Sequence, residues 1–378
     1  MTIKNVQLQS LVKENNTLEI FLAESDLPGP GTDEVIVRVE ATPLNPSDLG
    51  LLFGPADMST ATMGGSAERP VITASIPEYL MPLTKARLGK PMTVGNEGAG
   101  VVVAAGSSDA AQALMGKVVG MADGAMYTRY RCVKAQKCIV MLEGTTPAEA
   151  ASCFVNPLTA LGMTETMRAE GHTALVHTAA ASNLGQMLNR LCNEEGIGLV
   201  NIVRKPEQEA LLRDLGATWV CNSSADTFRQ DLIEALVETG ATMAFDAIGG
   251  GDLVNEILYC MEVAANQNSG AYSHYGSFDP KQVYIYGRLD KGPTTLKRNF
   301  GFSWGVGGWL LFQFIDKVGP QKVSELCARI ASGMKTTFAS HYTKEVSLAE
   351  ALSLEAIAAY ASMSTGEKFL IKPHSRTE

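Results

Sequence analysis

The sequence predicts an α/β protein of two domains, a doubly wound parallel sheet in the middle of the chain beside a mainly-β domain. Three observations predict it. At 378 residues the chain exceeds what a single core usually organises. Over residues 174–287 short apolar runs alternate with helical periodicity, the mark of repeated βα units. Residues 1–135, in contrast, carry β-branched runs separated by Pro, Gly and Asn-Pro turns, which suit strands.

In chain order, residues 34–41 are dominated by β-branched side chains and 100–104 form a Val run, both read as strands. Tyr127 and Tyr130 fall in a further strand-like stretch and are read as core. A strand over 174–178 leads into a helix whose apolar residues Leu184, Met187, Leu188, Leu191 and Cys192 keep helical spacing, with Gly196 as its stop. A strand over 199–203, a helix from Pro206 closed by Gly216, and a short strand over 219–221 complete a first half. The second half has a helix with Phe228, Leu232, Ala235 and Leu236, a strand over 242–248, and a helix with Leu253, Ile257, Leu258 and Met261. Strands near Gly270 and Val283 close it. The tail has a helix over 348–361 and a strand over 368–371, expected to pack back on the first domain.

Composition excludes several classes. With 46% hydrophobic and 19% charged residues the chain reads as globular, and a net charge of −9 disfavours nucleic acid and anionic membrane as partners. Residues 1–19 do not read as a secretory signal, so a cytoplasmic protein is expected. The most apolar segment, 300–315, is shorter than the roughly 18 to 20 residues of a membrane span. It reads as core, pocket lining or subunit interface. Seven cysteines without a CxxC pair argue against a disulfide framework.

Between the first βα strand and its helix runs His177-Thr178-Ala179-Ala180-Ala181-Ser182-Asn183-Leu184-Gly185, in the place of a GxGxxG loop, with Ala180, Ser182 and Gly185 at the glycine positions. Small residues let backbone approach a pyrophosphate, and the helix N-terminus offers free N–H groups. A plain small-residue turn is the alternative. About 18 residues further on, the position that would carry an acid for a ribose 2′-hydroxyl is Val203, followed by Arg204 and Lys205. That basic pair suits a 2′-phosphate, hence NADP(H), although a solvated pair at a strand end would look the same.

Several segments together resemble the medium-chain dehydrogenase/reductase superfamily: Asn45-Pro46-Ser47-Asp48, Gly95-Asn96-Glu97-Gly98-Ala99-Gly100 with Gly106 beyond, Asn156-Pro157-Leu158-Thr159-Ala160, Leu215-Gly216-Ala217 and Gly366-Glu367-Lys368. The resemblance implies a GroES-like catalytic domain, 1–150 with 338–378, and a Rossmann domain over 151–337. Asn45 and Asn96 stand where zinc-dependent members carry ligands, and no cluster of four cysteines follows, so no metal is expected. Glu97 then reads as a structural hydrogen-bonding residue. The chain is most similar to the zinc-free branch of quinone oxidoreductases and 2-enoyl thioester reductases. The tyrosine donor of the latter is missing from the matching stretch at 51–56. An insertion over 55–91, suggestive of a lid or pocket wall, holds Tyr79, a candidate replacement donor or else a surface tyrosine.

The expected activity is hydride transfer from NADPH, without metal, to a quinone or similarly activated small-molecule acceptor. The alternatives are an enoyl thioester or enone reductase, and a non-catalytic NADPH-binding protein. Asn45 is the candidate amide orienting substrate or nicotinamide. Asn156, Thr159, Ala180, Ala181, Ser182, Asn183, Leu184, Gly185, Arg204, Lys205, Gly276 and Lys368 are the candidate cofactor contacts, and Asn45, Asn156 and Thr159 read equally as turn or cap residues. A homodimer is the expected state.

Overall fold

The computed structural model describes residues 2–269, 273–361 and 368–375. The chain divides into two units, Met1–Val155 with Cys327–Glu378, and Asn156–Leu326. Among the described residues, no helix is long and apolar enough to cross a membrane.

The first unit opens with strands β1 (Ile3–Val12) and β2 (Thr17–Leu27), paired antiparallel, followed by β3 (Glu34–Pro43). Leu8, Val12, Leu18 and Ile20 alternate onto one buried face, as period-two patterning requires. A short helix, Pro46–Leu52, begins at Asn45. The segment read as a lid or pocket wall adds two strands, β4 (Asp57–Gly65) and β5 (Pro70–Ser75), to the edge of the first sheet. A 3₁₀ stretch, Glu78–Arg87, follows them. With β6 (Met92–Thr93) the order is β4-β5-β2-β1-β6.

The second sheet of this unit is built from β3, β7 (Gly98–Ala105), β8 (Val118–Met121), β9 (Tyr130–Lys134) and β10 (Cys138–Val140). Gly100 is fixed by packing: a Cβ there would lie 2.0 Å from the carbonyl oxygen of Arg38 on β3. Tyr127 is buried as expected, whereas Tyr130 is only half-buried, edge-on to His374.

In the second unit, β11 (Ala174–His177), β12 (Gly198–Val203), β13 (Trp219–Asn222), β14 (Met243–Asp246), β15 (Lys281–Ile285) and β16 (Trp304–Gly308) form one parallel sheet. Its order is β13-β12-β11-β14-β15-β16. The helix Asn183–Glu195 buries the five residues expected of it and ends at Gly196, φ 66°. The strand expected near Gly270 lies outside the described residues. The sixth strand is β16, so the sheet does not end at 283–286 as read from sequence. Its Trp-Gly-Val-Gly-Gly pattern hid it: Trp304 and Val306 pack on the core, while a Cβ at Gly305 would meet Gln282 Oε1 at 2.3 Å.

The chain returns to the first unit with β17 (Lys344–Val346) and β18 (Phe369–Ile371), β18 pairing antiparallel with β3. The single helix expected over 348–361 is a 3₁₀ turn, Glu350–Leu352, and a helix, Leu354–Ala361, separated at the extended Ser353. Val346, Leu348, Ile357 and Ile371 join the core of β1 and β2. All seven cysteines are free thiols.

Candidate functional site

In an open parallel sheet, ligands bind beyond the carboxyl ends of the strands where strand order reverses. Here that is the end of β11, flanked by β12 and β14. The chain leaves β11 through Thr178, turns at Ala179 with φ 50°, and ties Ala180 N–H to Ile202 O at 3.2 Å. Ser182 caps the helix Asn183–Glu195, its Oγ accepting from Gly185 N–H at 3.2 Å. The N–H groups of Asn183 and Leu184, in the first helical turn, have no partner within the helix. Gly185 cannot be larger, since a Cβ would lie 2.1 Å from Ala180 O. Ala180 and Ala181 are buried against Val203, Leu212, Ala217 and Val220, so their methyl groups serve packing and only their backbone is available to a ligand.

The loop's root is held from β14. Asp246 accepts from Thr178 Oγ1 at 2.6 Å and from the N–H groups of Ile248 and Gly249 at 3.0 and 2.8 Å. Beside it, His177 Nε2 lies 2.8 Å from Tyr286 Oη, and complete burial drives the imidazole pKa down to about 3. Sequence reading passed over Asp246 and Tyr286 and gave Thr178 only as part of the loop. The available signal was the Asp-x-x-Gly-Gly run that ends β14.

Val203 is the last residue of β12, and Arg204 and Lys205 follow it exposed, their backbone N–H groups held by Gln208 Oε1 at 3.0 and 3.2 Å. Neither side chain is in an ion pair among the described residues. Asn156 is half-buried and Thr159 buried on the helix Val155–Ala169. Gly276 is elsewhere. It precedes β15, at the amino end of the strands, and packs on Glu262, whose carboxylate forms a buried 2.7 Å ion pair with Lys281. Strand polarity therefore removes Gly276 from the dinucleotide loop.

In the first unit the fold assembles buried polar groups around Glu97. Its Oε1 accepts from Asn45 Nδ2 at 2.7 Å and its Oε2 from the N–H groups of Phe154 and Val155 at 2.8 and 2.9 Å. Burial raises the Glu97 pKa, and the Lys368 ammonium opposes that rise. Lys368 donates to Ser152 Oγ at 2.8 Å, and its Nζ lies 5.4 Å from the centroid of the Tyr342 ring. Burial lowers its pKa to about 8. Lys368 is thus enclosed with Glu97 and Ser152, a placement its motif alone did not disclose. Gly366 and Glu367 of that motif lie outside the described residues. Asp48 accepts from the N–H groups of Asn45 and Asn96, both at 2.8 Å, and burial lifts its pKa to about 7. Asn96 Nδ2 donates to Ser47 Oγ at 3.1 Å. Tyr79 is 79% exposed, so its phenol stands in solvent and not among these enclosed groups.

A parallel dinucleotide-type sheet joined to an antiparallel unit closed by the chain's C-terminal return is the architecture of oxidoreductases built on Rossmann and GroES-like domains. No family model matches the chain. It is 29% identical over 217 residues to the mitochondrial enoyl-[acyl-carrier-protein] reductase of Xenopus tropicalis, covering 55% of this chain and 53% of that protein. It is 28% identical over 166 residues to a quinone oxidoreductase of Pseudomonas aeruginosa, covering 43% and 50%. The chain thus spans about half the length of the curated relatives it matches. Among solved structures, a Mesorhizobium loti protein assigned as an NADPH:quinone reductase is 25% identical, covers 99% of this chain and all of its own, and gives a TM-score of 0.70. The Etr1p complex with NADP and crotonyl-CoA, 16% identical over 98% of this chain and 100% of its own, gives 0.69 and shares the fold. Its relatives by sequence and its neighbours in structure are quinone oxidoreductases and enoyl reductases of the medium-chain dehydrogenase/reductase superfamily.

Proposed function

We propose that this protein is an NADPH-dependent oxidoreductase that passes hydride to a quinone or similarly activated acceptor. The observation that carries the cofactor assignment is the end of β12, where Val203 replaces an acid and two exposed cations without ion-pair partners among the described residues follow. The loop fits a dinucleotide: Gly185 allows the close approach, and the first-turn N–H groups of Asn183 and Leu184 are free to take a pyrophosphate. Arg204 and Lys205 take the 2′-phosphate, and Asn156 and Thr159 are cofactor-side contacts. NADPH supplies the hydride when bound. Asn45 orients a ligand group, held by Glu97 with Lys368 behind it.

The acceptor class follows from what surrounds Asn45. The reduced form of a quinone is a delocalised anion that water can protonate, so no dedicated acid is required. Tyr79 is solvent-exposed, which favours that acceptor over one needing a positioned phenol. The second reading, an enoyl thioester reductase, is favoured by the similarity to enoyl-[acyl-carrier-protein] reductases. Steady-state NADPH oxidation with 1,4-naphthoquinone and with crotonyl thioester separates them: faster turnover of the thioester overturns the quinone assignment, and NADPH binding without turnover of either points to a non-catalytic role. Zinc independence rests on amide side chains at Asn45 and Asn96, poor ligands for that ion. A homodimer completes the reading, supported by the open edge of β16 with Phe302, 80% exposed, beside it.

A further inference from the structure

Asn45 is 3% exposed, and the fold treats the two ends of its amide differently. Nδ2 donates to Glu97 Oε1 at 2.7 Å, whereas Oδ1 is buried without a hydrogen-bond partner among the described residues. A carboxylate only accepts, so the nitrogen end must face Glu97 and the oxygen end must face away. Glu97 is not free to reverse this. Its second oxygen is committed to the N–H groups of Phe154 and Val155, and while burial raises the Glu97 pKa, the nearby ammonium of Lys368 opposes that rise.

We propose that Asn45 acts as a hydrogen-bond acceptor for a ligand group carrying N–H or O–H, and that Glu97 is the positioning residue that sets this polarity. A quinone or thioester carbonyl is itself an acceptor and gains nothing from Oδ1, so Asn45 does not polarise the acceptor's carbonyl. The donor chemistry has two sources, the carboxamide of the nicotinamide ring and the hydroxyl of a reduced acceptor. The inference rests on the reading that the chain binds NADPH and such an acceptor.

Equilibrium binding to the full chain, without turnover, tests it. The ligands are NADPH, its reduced 3-acetylpyridine analogue, in which a methyl group replaces the carboxamide NH₂, and 2′-phospho-ADP-ribose, which has no nicotinamide. Anaerobic titrations compare 1,4-naphthohydroquinone with its dimethyl ether. Loss of the donor that Asn45 receives weakens binding about ten- to hundredfold in the wild type. Weakening in the acetylpyridine arm assigns the carboxamide, and weakening in the ether arm assigns the hydroxyl. Glu97→Gln, whose amide also donates and so lets Asn45 reverse, shrinks that ratio severalfold while leaving 2′-phospho-ADP-ribose binding unchanged; Asn45→Ala abolishes the ratio. Equal binding in both wild-type pairs overturns the proposal, and that result needs no variant to fold. Failure of 2′-phospho-ADP-ribose to bind overturns the NADPH assignment instead, and the hydroquinone arm still decides the role of Asn45.

Discussion

Gly185→Ala places one methyl group where the backbone cannot yield. Its carbon would lie 2.1 Å from Ala180 O, 2.6 Å from the Ala180 carbonyl carbon and 2.7 Å from its Cα. Normal contacts between carbons are about 3.5 to 4.0 Å, so loop and helix must separate by roughly 1 Å. Ala180 is not free to retreat, since its N–H is bonded to Ile202 O and its methyl is buried against Val203 and Leu212. Overpacking of this kind costs about 1 to 3 kcal/mol. For a unit of this size that lowers Tm by roughly 3 to 10 °C. The same displacement carries the first-turn N–H groups off a pyrophosphate, and a loss of about 1.4 kcal/mol there weakens NADPH tenfold. Differential scanning fluorimetry and fluorescence titration read the two effects. A variant that binds NADPH within about twofold of wild type, with Tm unmoved, would refute the account of this loop.

Removing Lys368 as Lys368→Met takes away the donor to Ser152 Oγ and the cation that opposes burial at Glu97, and urea unfolding should show a loss of about 1 to 3 kcal/mol, partly recovered in the double variant with Glu97→Gln. His177 binds its proton with a pKa of about 3 when folded against an ordinary 6.5, so the unfolded chain takes up more protons between those values and stability falls as pH drops through that window. Asp48, raised to about 7 from 3.8, acts with the opposite sign: the folded chain holds the extra proton, and stability falls as pH rises from about 4 to 7. Unfolding of His177→Asn and Asp48→Asn across pH 4 to 7 should therefore tilt the profile in opposite directions; parallel profiles contradict these assignments. Phe302→Asp, at an 80% exposed site just before β16, should convert a dimer to monomer by light scattering.

The parts of the fold legible in the sequence are those where one physical signal dominates. The apolar stripe of Leu184, Met187, Leu188, Leu191 and Cys192 has a single solution, a helix with that face buried. β16 was not legible, because glycine at alternate positions erases the side-chain alternation that announces a strand, and the reason for glycine at 305 is Gln282 on the neighbouring strand. Lys368 illustrates the same limit at the site: a lysine before a short strand looks solvated until Glu97 and Ser152 from distant segments close around it. The placement of Gly276 depends on something sequence does not carry, the polarity of β15, which puts it at the amino end of the strands. The asymmetry of Asn45 likewise needed the position of Glu97, which only the pairing of β3 and β7 supplies.

The central claim is that the second unit holds NADPH through a basic pair at the end of β12. The most direct test is the ratio of NADH to NADPH dissociation constants in the wild type and in Arg204→Ala/Lys205→Ala. Charge-assisted hydrogen bonds to a phosphate contribute about 1.5 to 3 kcal/mol, so the account predicts NADPH tighter by at least tenfold in the wild type and a ratio near one in the double variant, with NADH affinity unchanged. Equal affinity for the two cofactors in the wild type, or a preference that survives loss of both cations, contradicts it.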